Sequence, residues 1–259
     1  MRRSQARATD GSSMGYEVNW RGTIGIVNPT RGTGSIEELT RLLPEGVGLV
    51  VSYNDIRHGT IKEFQSVIGA YEEQVRAFGE APDRVDAIHP AGTPPFMLLG
   101  FAKERALVEK WQRAYDIPVF TSGMNQVRAM KALGIKRFIG IGYDFEDTNI
   151  VSRYFEDAGL SPQAMLKLPG RWEEIGTLSA HTVYGLIKKL FLENRKNVEG
   201  IYLQGSKLRV LDVVDILERD LGVPVVHPVA ARAWEIQRRL TVRQPRRGYG
   251  RLLAEMPID

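Results

Sequence analysis

Short apolar runs alternate with helix-length amphipathic segments along almost the whole 259-residue chain. Each run is rich in β-branched residues, is nearly continuous in apolar residues and is bounded by glycine, proline or asparagine. Strands of a parallel sheet that is covered on both faces have this pattern. The strands predicted in this way are residues 23–27, 47–51, 85–88, 118–120, 137–141, 200–203 and 223–226.

The segments between these runs carry apolar residues at the spacing of one helix face. Residues 61–78 show this spacing at Phe64, Val67, Ile68, Tyr71 and Val75. The same periodicity predicts helices at residues 107–115, 124–133, 148–158, 180–192 and 208–221. Strand–helix alternation repeated this often indicates right-handed βαβ units. The predicted fold class is therefore α/β, with doubly wound parallel sheets.

The positive charge of the chain is concentrated near its two ends. The formal net charge is +4, with Arg2, Arg3 and Arg7 at the N-terminus and seven arginines between Arg232 and Arg251. No basic stripe with interleaved aromatic residues occurs elsewhere, so no nucleic-acid partner is predicted. We interpret the basic segments as a solvated tail and a helix with a basic outer face.

Several classes of site and location are excluded by residue content. The chain has no cysteine, which excludes disulfides and thiolate metal sites. Its histidines lack metal-binding spacing, so no metal site is predicted. The glycines around residue 33 fit neither a phosphate loop nor a dinucleotide fingerprint; nucleotide binding is a minor alternative, and we expect no cofactor. No apolar run reaches transmembrane length and no secretory signal follows the basic N-terminus, so we expect a cytoplasmic protein without a membrane partner.

Two similar strand-to-helix turns mark the predicted site. Gly92-Thr93 follows one strand and Gly205-Ser206 follows another, and ligands of open α/β sheets bind beyond such strand ends. Each pair presents backbone N–H groups and a hydroxyl at a helix N-terminus, which suits a carboxylate or phosphate. Similar pairs also cap helices without any ligand. The repetition of the unit favours two similar lobes related by a pseudo-twofold axis, with the site between them.

Two histidines lie at predicted strand ends, each directly before a proline. His89 and His227 are interpreted either as a general acid or base near neutral pH or as structural side chains that hydrogen-bond the loop backbone. Both alternatives stay open on the sequence alone.

Four segments in the right order resemble arylmalonate decarboxylases and maleate isomerases of the aspartate/glutamate racemase superfamily. The similarity extends over about residues 21–254. The segments are the opening strand and loop at residues 23–30, the strand-to-helix region at 118–137, Gly142-Tyr143-Asp144, and the C-terminal residues 247–253. The resemblance implies two flavodoxin-like lobes: residues 21–121 with 227–259 in the first, 122–226 in the second, and 1–20 as a flexible tail.

In the family that this chain resembles, one or two thiols face the substrate, whereas glycine stands at both positions here, as Gly92 and Gly205. A glycine can neither transfer a proton nor form a thioether, so two-thiol racemisation and cysteine-dependent isomerisation are excluded. The resemblance implies that a carboxylate-binding hole survives. Its members would be Asn28, Thr93, Tyr143 and Ser206, with the backbone N–H groups of the two glycines.

These inferences predict a cofactor-independent lyase or isomerase that acts on a small malonate- or maleate-like carboxylate. His89 is the first candidate for the proton donor, His227 the second, and Tyr143 or Lys207 comes after them. One alternative is a hydrolase of an amide, lactone or ester, with Ser206 or a histidine-activated water as the nucleophile. Another is a non-catalytic protein that binds a small dicarboxylate. Assembly into a homo-oligomer is left open.

Overall fold

The computed structural model describes residues 18–32, 34–143 and 149–258. In these ranges the strands are β1 (Gly22–Asn28), β2 (Val47–Tyr53), β3 (Ala87–Pro90), β4 (Arg137–Gly142), β5 (Ser161–Lys167), β6 (Gly200–Leu203) and β7 (Val225–Val226). The α-helices are α1 (Gly34–Leu42), α2 (Ile61–Ser66), α3 (Ile68–Glu80), α4 (Thr93–Leu99), α5 (Phe101–Tyr115), α6 (Ser122–Ala132), α7 (Ile150–Asp157), α8 (Ala180–Asn194), α9 (Val214–Leu221), α10 (Pro228–Arg239) and α11 (Arg251–Glu255).

The strands form two separate parallel sheets. One has the order β2-β1-β3 and the other β5-β4-β6-β7, and every pairing within them is parallel. The strands β1, β3, β4 and β6 are buried over most or all of their length, as expected for sheets covered by helices on both faces. The predicted α/β class with two parallel-sheet lobes is confirmed.

The structure lacks one predicted strand and contains one strand that was not predicted. Residues 118–120 form no full strand, and Val119 makes an isolated parallel bridge to Ile88 beside β3. The edge strand β5 was not predicted at all. None of its residues is fully buried, it contains Pro162, and its register with β4 shifts between Phe138 and Ile139. A half-exposed edge strand of this kind lacks the continuous apolar run that identifies its neighbours.

The predicted helix at residues 61–78 is divided in two. Val67 ends α2 and precedes α3, and Thr60 begins α2 with a capping box to Glu63. Only the later part of the predicted helix at residues 208–221 is α-helical, as α9. The predicted tail up to residue 17, and Thr148 of the predicted helix at 148–158, lie outside the described residues.

The expectation that the C-terminal arginines form a basic outer face is wrong for α10. Arg232 on this helix is only 1% exposed. Arg239 on the same helix and Arg128 on α6 both pair with the buried Glu235, at 2.8 Å each. The helix α10 packs against both α1 and α6, so it is covered on more than one side. The assignment of residues 227–259 to the first lobe stays a prediction.

Candidate active site

A cavity with a volume of about 610 Å³ lies at the carboxyl ends of strands from both sheets. Its walls include Pro29 after β1, Thr93 after β3, Tyr143 after β4, Ser206 after β6 and Pro228 after β7. Parallel strands end at the same edge of a sheet, and this edge is where open α/β sheets bind ligands. The location therefore agrees with the predicted site between the two sheets.

Four helices begin at the wall of this cavity. Gly34 starts α1, Thr93 starts α4, Ser122 starts α6 and Pro228 starts α10, and all four residues line the cavity. The first turn of a helix carries unpaired N–H groups and a partial positive charge. Helix N-termini that converge in this way favour an anionic ligand.

The charged side chains at the cavity carry a net positive charge. Among the described lining residues, the four cations Arg31, Arg57, Lys207 and Arg209 outnumber the carboxylates Asp55 and Glu173, which leaves two positive charges. Asp55 pairs with both Arg57 and Arg31, whereas Arg209 lies over the first turn of α1 at Gly34. The charge of the cavity wall therefore attracts small anions.

All six residues predicted to bind the substrate line this one cavity: Asn28, Gly92, Thr93, Tyr143, Gly205 and Ser206. Their contacts nevertheless differ from those of a simple anion hole. The amide Nδ2 of Asn28 donates to the carbonyls of Thr30 and Gly32, at 2.8 and 3.4 Å, and so holds the loop after β1. The backbone N–H of Gly92 donates to Ser122 Oγ at 3.0 Å.

The two glycines at the family's thiol positions have little room for a side chain. Gly205 has φ +85°, and a Cβ built on it would overlap the hydroxyl group of Tyr143. Gly92 has φ +104°, and a Cβ there would lie 3.0 Å from the Tyr71 hydroxyl and 3.0 Å from a carbon of the Pro29 ring. Positive φ values favour glycine. The Tyr143 hydroxyl thus fills the space that a side chain at position 205 would need.

Tyr143 is a buried phenol at the cavity wall, with only 6% of its surface exposed. Its ring packs edge-on against Trp172, with the ring centroids 4.8 Å apart. Burial raises the pKa of Tyr143 well above the usual value, and a hydrogen bond to the Lys207 backbone offsets this effect only in part. The phenol therefore keeps its proton at neutral pH.

His89 and His227, the two histidines predicted to transfer protons, are fully buried and do not line the cavity. Burial lowers the pKa of His227 to about 3, against a smaller opposing effect of the Leu208 backbone. Burial and the nearby Arg232 also lower the pKa of His89 well below its usual value. Both rings are neutral at pH 7, so neither is placed or charged to protonate a ligand directly.

Each imidazole instead forms a hydrogen bond with a backbone group. His227 precedes α10, and its Nδ1 accepts the Val229 N–H at 3.3 Å, as a cap of that helix. His89 Nδ1 lies 2.8 Å from the Phe120 carbonyl, and its ring stacks on that of Phe120. These are contacts of the kind that the structural interpretation of both histidines predicts.

Lys207 lies at the cavity but is turned towards an aromatic ring. Its Nζ is 4.6 Å from the centre of the Trp172 ring, and partial burial lowers the pKa of its ammonium group. Trp172 also packs edge-on against Phe64, with the centroids 5.5 Å apart. Trp172 and Arg209 were missed by sequence reasoning because neither lies in a turn with a recognisable pattern. Ser122 lies within the segment 118–137 that resembles the family, but it was not selected as a site residue.

Two classes of feature are absent from the described part of the chain. No group of three or more histidine, aspartate and glutamate side chains is arranged to hold a metal ion. No described helix has both the length and the apolar character needed to cross a bilayer.

Known proteins resemble this chain over most of its length. A curated relative, arylmalonate decarboxylase of Bordetella bronchiseptica, is 26% identical over 237 residues, which cover 90% of this chain and 97% of that protein. The solved structure of the maleate isomerase Iso from Pseudomonas putida S16 has a TM-score of 0.81 at 18% identity, covering 91% of this chain and 99% of that one. A liganded double mutant of arylmalonate decarboxylase has a TM-score of 0.80 at 24% identity, covering 90% and 99%.

The two structural similarities, both below 25% identity, establish the shared fold. The curated relative and a matching family model together confirm the resemblance to enzymes of the aspartate/glutamate racemase superfamily, and with it the expectation of an enzyme related to decarboxylases and isomerases. The sequence model of one family, described as arylmalonate decarboxylase, matches residues 25–253, which is nearly the whole chain. The chain therefore belongs to the arylmalonate decarboxylase family.

Proposed function

We propose that the protein is a cofactor-independent lyase that decarboxylates a small malonate-type dicarboxylate, with Tyr143 as the proton donor. The observation that carries the proposal is the position of the Tyr143 hydroxyl. It lies at the cavity wall and in the space of a side chain at Gly205, where the family resemblance places a thiol. A buried phenol thus stands where the proton donor would be needed.

Binding of a dianion is supported by the charge of the cavity. Four helix N-termini face it, and two positive side-chain charges remain after the carboxylates are counted. Thr93 and Ser206 contribute hydroxyl groups from the two opposite loops. A carboxylate held by hydrogen-bond donors becomes easier to convert into an enediolate, because the donors stabilise the charge that develops on its oxygens.

Decarboxylation consumes one proton, which Tyr143 supplies and solvent restores. The bond between the α-carbon and the departing carboxylate breaks, carbon dioxide leaves, and the electron pair forms the enediolate of the remaining acid. The Tyr143 hydroxyl then donates its proton to the α-carbon, and solvent returns a proton to the phenolate. Burial keeps the pKa of Tyr143 high, so the phenol is protonated at the start of each turnover, and its basic phenolate is readily reprotonated.

The proposal is tested with 2-methyl-2-phenylmalonate, whose product is chiral. We expect the wild-type protein to release carbon dioxide and to form one enantiomer of 2-phenylpropanoate in excess, because a fixed phenol protonates one face. Tyr143→Phe should lower kcat by roughly 100- to 10,000-fold, the usual contribution of a general acid, and should leave KM within a few-fold. Chiral chromatography and a carbon dioxide assay measure both effects.

Tyr184→Phe is the matched control, since it removes a phenol hydroxyl that pairs with Asp220 at the surface. It should leave both rate and enantiomeric excess unchanged. Wild-type rates in Tyr143→Phe would refute the assignment of the proton donor. If calorimetry with malonate and maleate detects binding but a panel of carboxylates gives no turnover, the non-catalytic binding protein replaces the lyase.

A further inference from the structure

Ser122 is a buried hydroxyl at the cavity that the proposed reaction does not use. It is the first residue of α6, it is 3% exposed, and it lines the cavity beside Gly92. The Gly92 N–H donates to its Oγ at 3.0 Å. A serine hydroxyl has one proton to donate and two lone pairs to accept with, so this contact occupies the first lone pair.

The direction of the Ser122 proton follows from His89. The Phe120 carbonyl, 2.8 Å from His89 Nδ1, can only accept, so the proton of the neutral ring is on Nδ1. His89 Nε2 is then an acceptor, and Ser122 Oγ lies 3.5 Å from it. A buried acceptor left without a donor destabilises the folded protein. The Ser122 O–H is therefore directed at His89, away from the cavity.

With its proton and one lone pair engaged, Ser122 has one lone pair left for the cavity. We propose that Ser122, oriented by His89, acts as a hydrogen-bond acceptor that selects substrates carrying a hydroxyl or ammonium group on the α-carbon. The inference rests on the proposed function, because it concerns the substituent of the same α-carbon. It narrows the substrate class to 2-hydroxy- or 2-amino-substituted malonates.

Ser122, His89 and the Phe120 carbonyl are arranged like the nucleophile, the base and the orienting group of a hydrolase. Two observations oppose that role. A base must accept the serine proton, but burial, together with the charges of Arg232 and Arg128, disfavours the imidazolium form of His89. In addition, the Gly92 N–H is committed to Ser122 Oγ and is not free to stabilise an oxyanion. The pair is thus arranged to accept a hydrogen bond rather than to attack a carbonyl.

A carboxylate oxygen or a methyl group gains nothing from this acceptor. A carboxylate would place its own lone pairs against that of Ser122, and a methyl group would leave the oxygen without a partner. A hydroxyl of similar size forms the hydrogen bond. A site that pairs with a substrate hydroxyl discriminates strongly against the analogue that lacks it, because the buried group of the site is left unpaired.

The test compares 2-hydroxy-2-phenylmalonate with 2-methyl-2-phenylmalonate, which differ in one group of similar size. We expect the wild-type protein to favour the hydroxy acid at least 10-fold in kcat/KM. Ser122→Ala should reduce this ratio to near 1. Ser206→Ala, which removes the cavity serine of the opposite loop, should lower turnover of both acids and leave their ratio unchanged.

A binding measurement keeps the inference testable if Ser122→Ala does not fold. Calorimetry on the wild-type protein should show mandelate binding at least 10-fold more tightly than 2-phenylpropanoate. Equal kcat/KM for the two malonates, or an unchanged ratio in Ser122→Ala, would overturn the role of Ser122 while the decarboxylase stands. Failure to turn over either malonate would refute the proposed function, and the ratio of the two binding constants would still decide the role of Ser122.

Discussion

Replacement of Glu104 by glutamine should stabilise the protein at alkaline pH and not at acidic pH. Glu104 lies on α5 and is fully buried. Its carboxylate accepts a hydrogen bond from the Tyr154 hydroxyl and contacts the Thr121 side chain at the start of α6. Burial raises its pKa from 4.5 to about 7, and these hydrogen bonds offset the burial only in part.

The magnitude follows from the pKa of Glu104 in the two states. Folded Glu104 holds its proton more tightly than Glu104 of the unfolded chain. The stability that this proton contributes is therefore fully present below pH 4.5 and is lost as the pH rises to about 7. At roughly 1.4 kcal/mol per pH unit, the ionised form destabilises the folded state by about 3 kcal/mol above that range. Glutamine keeps the shape and carries no charge, so Glu104→Gln avoids this effect.

Urea unfolding followed by tryptophan fluorescence measures the difference. We expect Glu104→Gln to match the wild-type protein within about 1 kcal/mol at pH 4.5 and to exceed it by about 3 kcal/mol at pH 8. The control is Glu109→Gln on the exposed face of α5, where the carboxylate pairs with Arg105 and Arg113 in solvent. That change should alter the free energy of unfolding by less than about 1 kcal/mol at either pH. An identical effect of Glu104→Gln at both pH values would refute the reasoning.

Two further predictions concern a glycine and a histidine of the site. Gly205→Cys should lower the free energy of unfolding by about 1 to 3 kcal/mol and should not add thiol catalysis, because the new Cβ meets the Tyr143 hydroxyl. Denaturant unfolding and activity assays before and after iodoacetamide measure these effects, and a faster, iodoacetamide-sensitive variant would contradict the prediction. His227→Ala should destabilise the protein by about 1 to 2 kcal/mol through loss of the α10 cap, and His227→Asn should recover part of that stability. If His227→Ala instead lowers kcat as much as Tyr143→Phe does, His227 is a catalytic group.

The sequence by itself determined the fold class, the strands that carry the site and the exclusion of thiol chemistry. Apolar periodicity and Gly-Thr or Gly-Ser turns are local properties, so β1, β3, β4 and β6 could be predicted along with the loops at Gly92 and Gly205. The absence of cysteine is a matter of content alone. The edge strand β5 could not be predicted, because its residues are half-exposed and form no apolar run.

Only the tertiary structure decided which polar groups reach the cavity. The strand ends at His89 and His227 have the same local pattern as that at Tyr143, yet both imidazoles are buried. His89 lies near Arg232 of α10, and His227 lies near the Leu208 backbone, both of which are distant in sequence from the histidine they approach. Tyr143 fills the space of a side chain at Gly205 because the two residues follow β4 and β6, which are neighbouring strands. The bond of Ser122 to the Gly92 N–H joins a helix start to a strand end. Contacts of this kind depend on how the elements pack against one another, which no local pattern in the chain encodes.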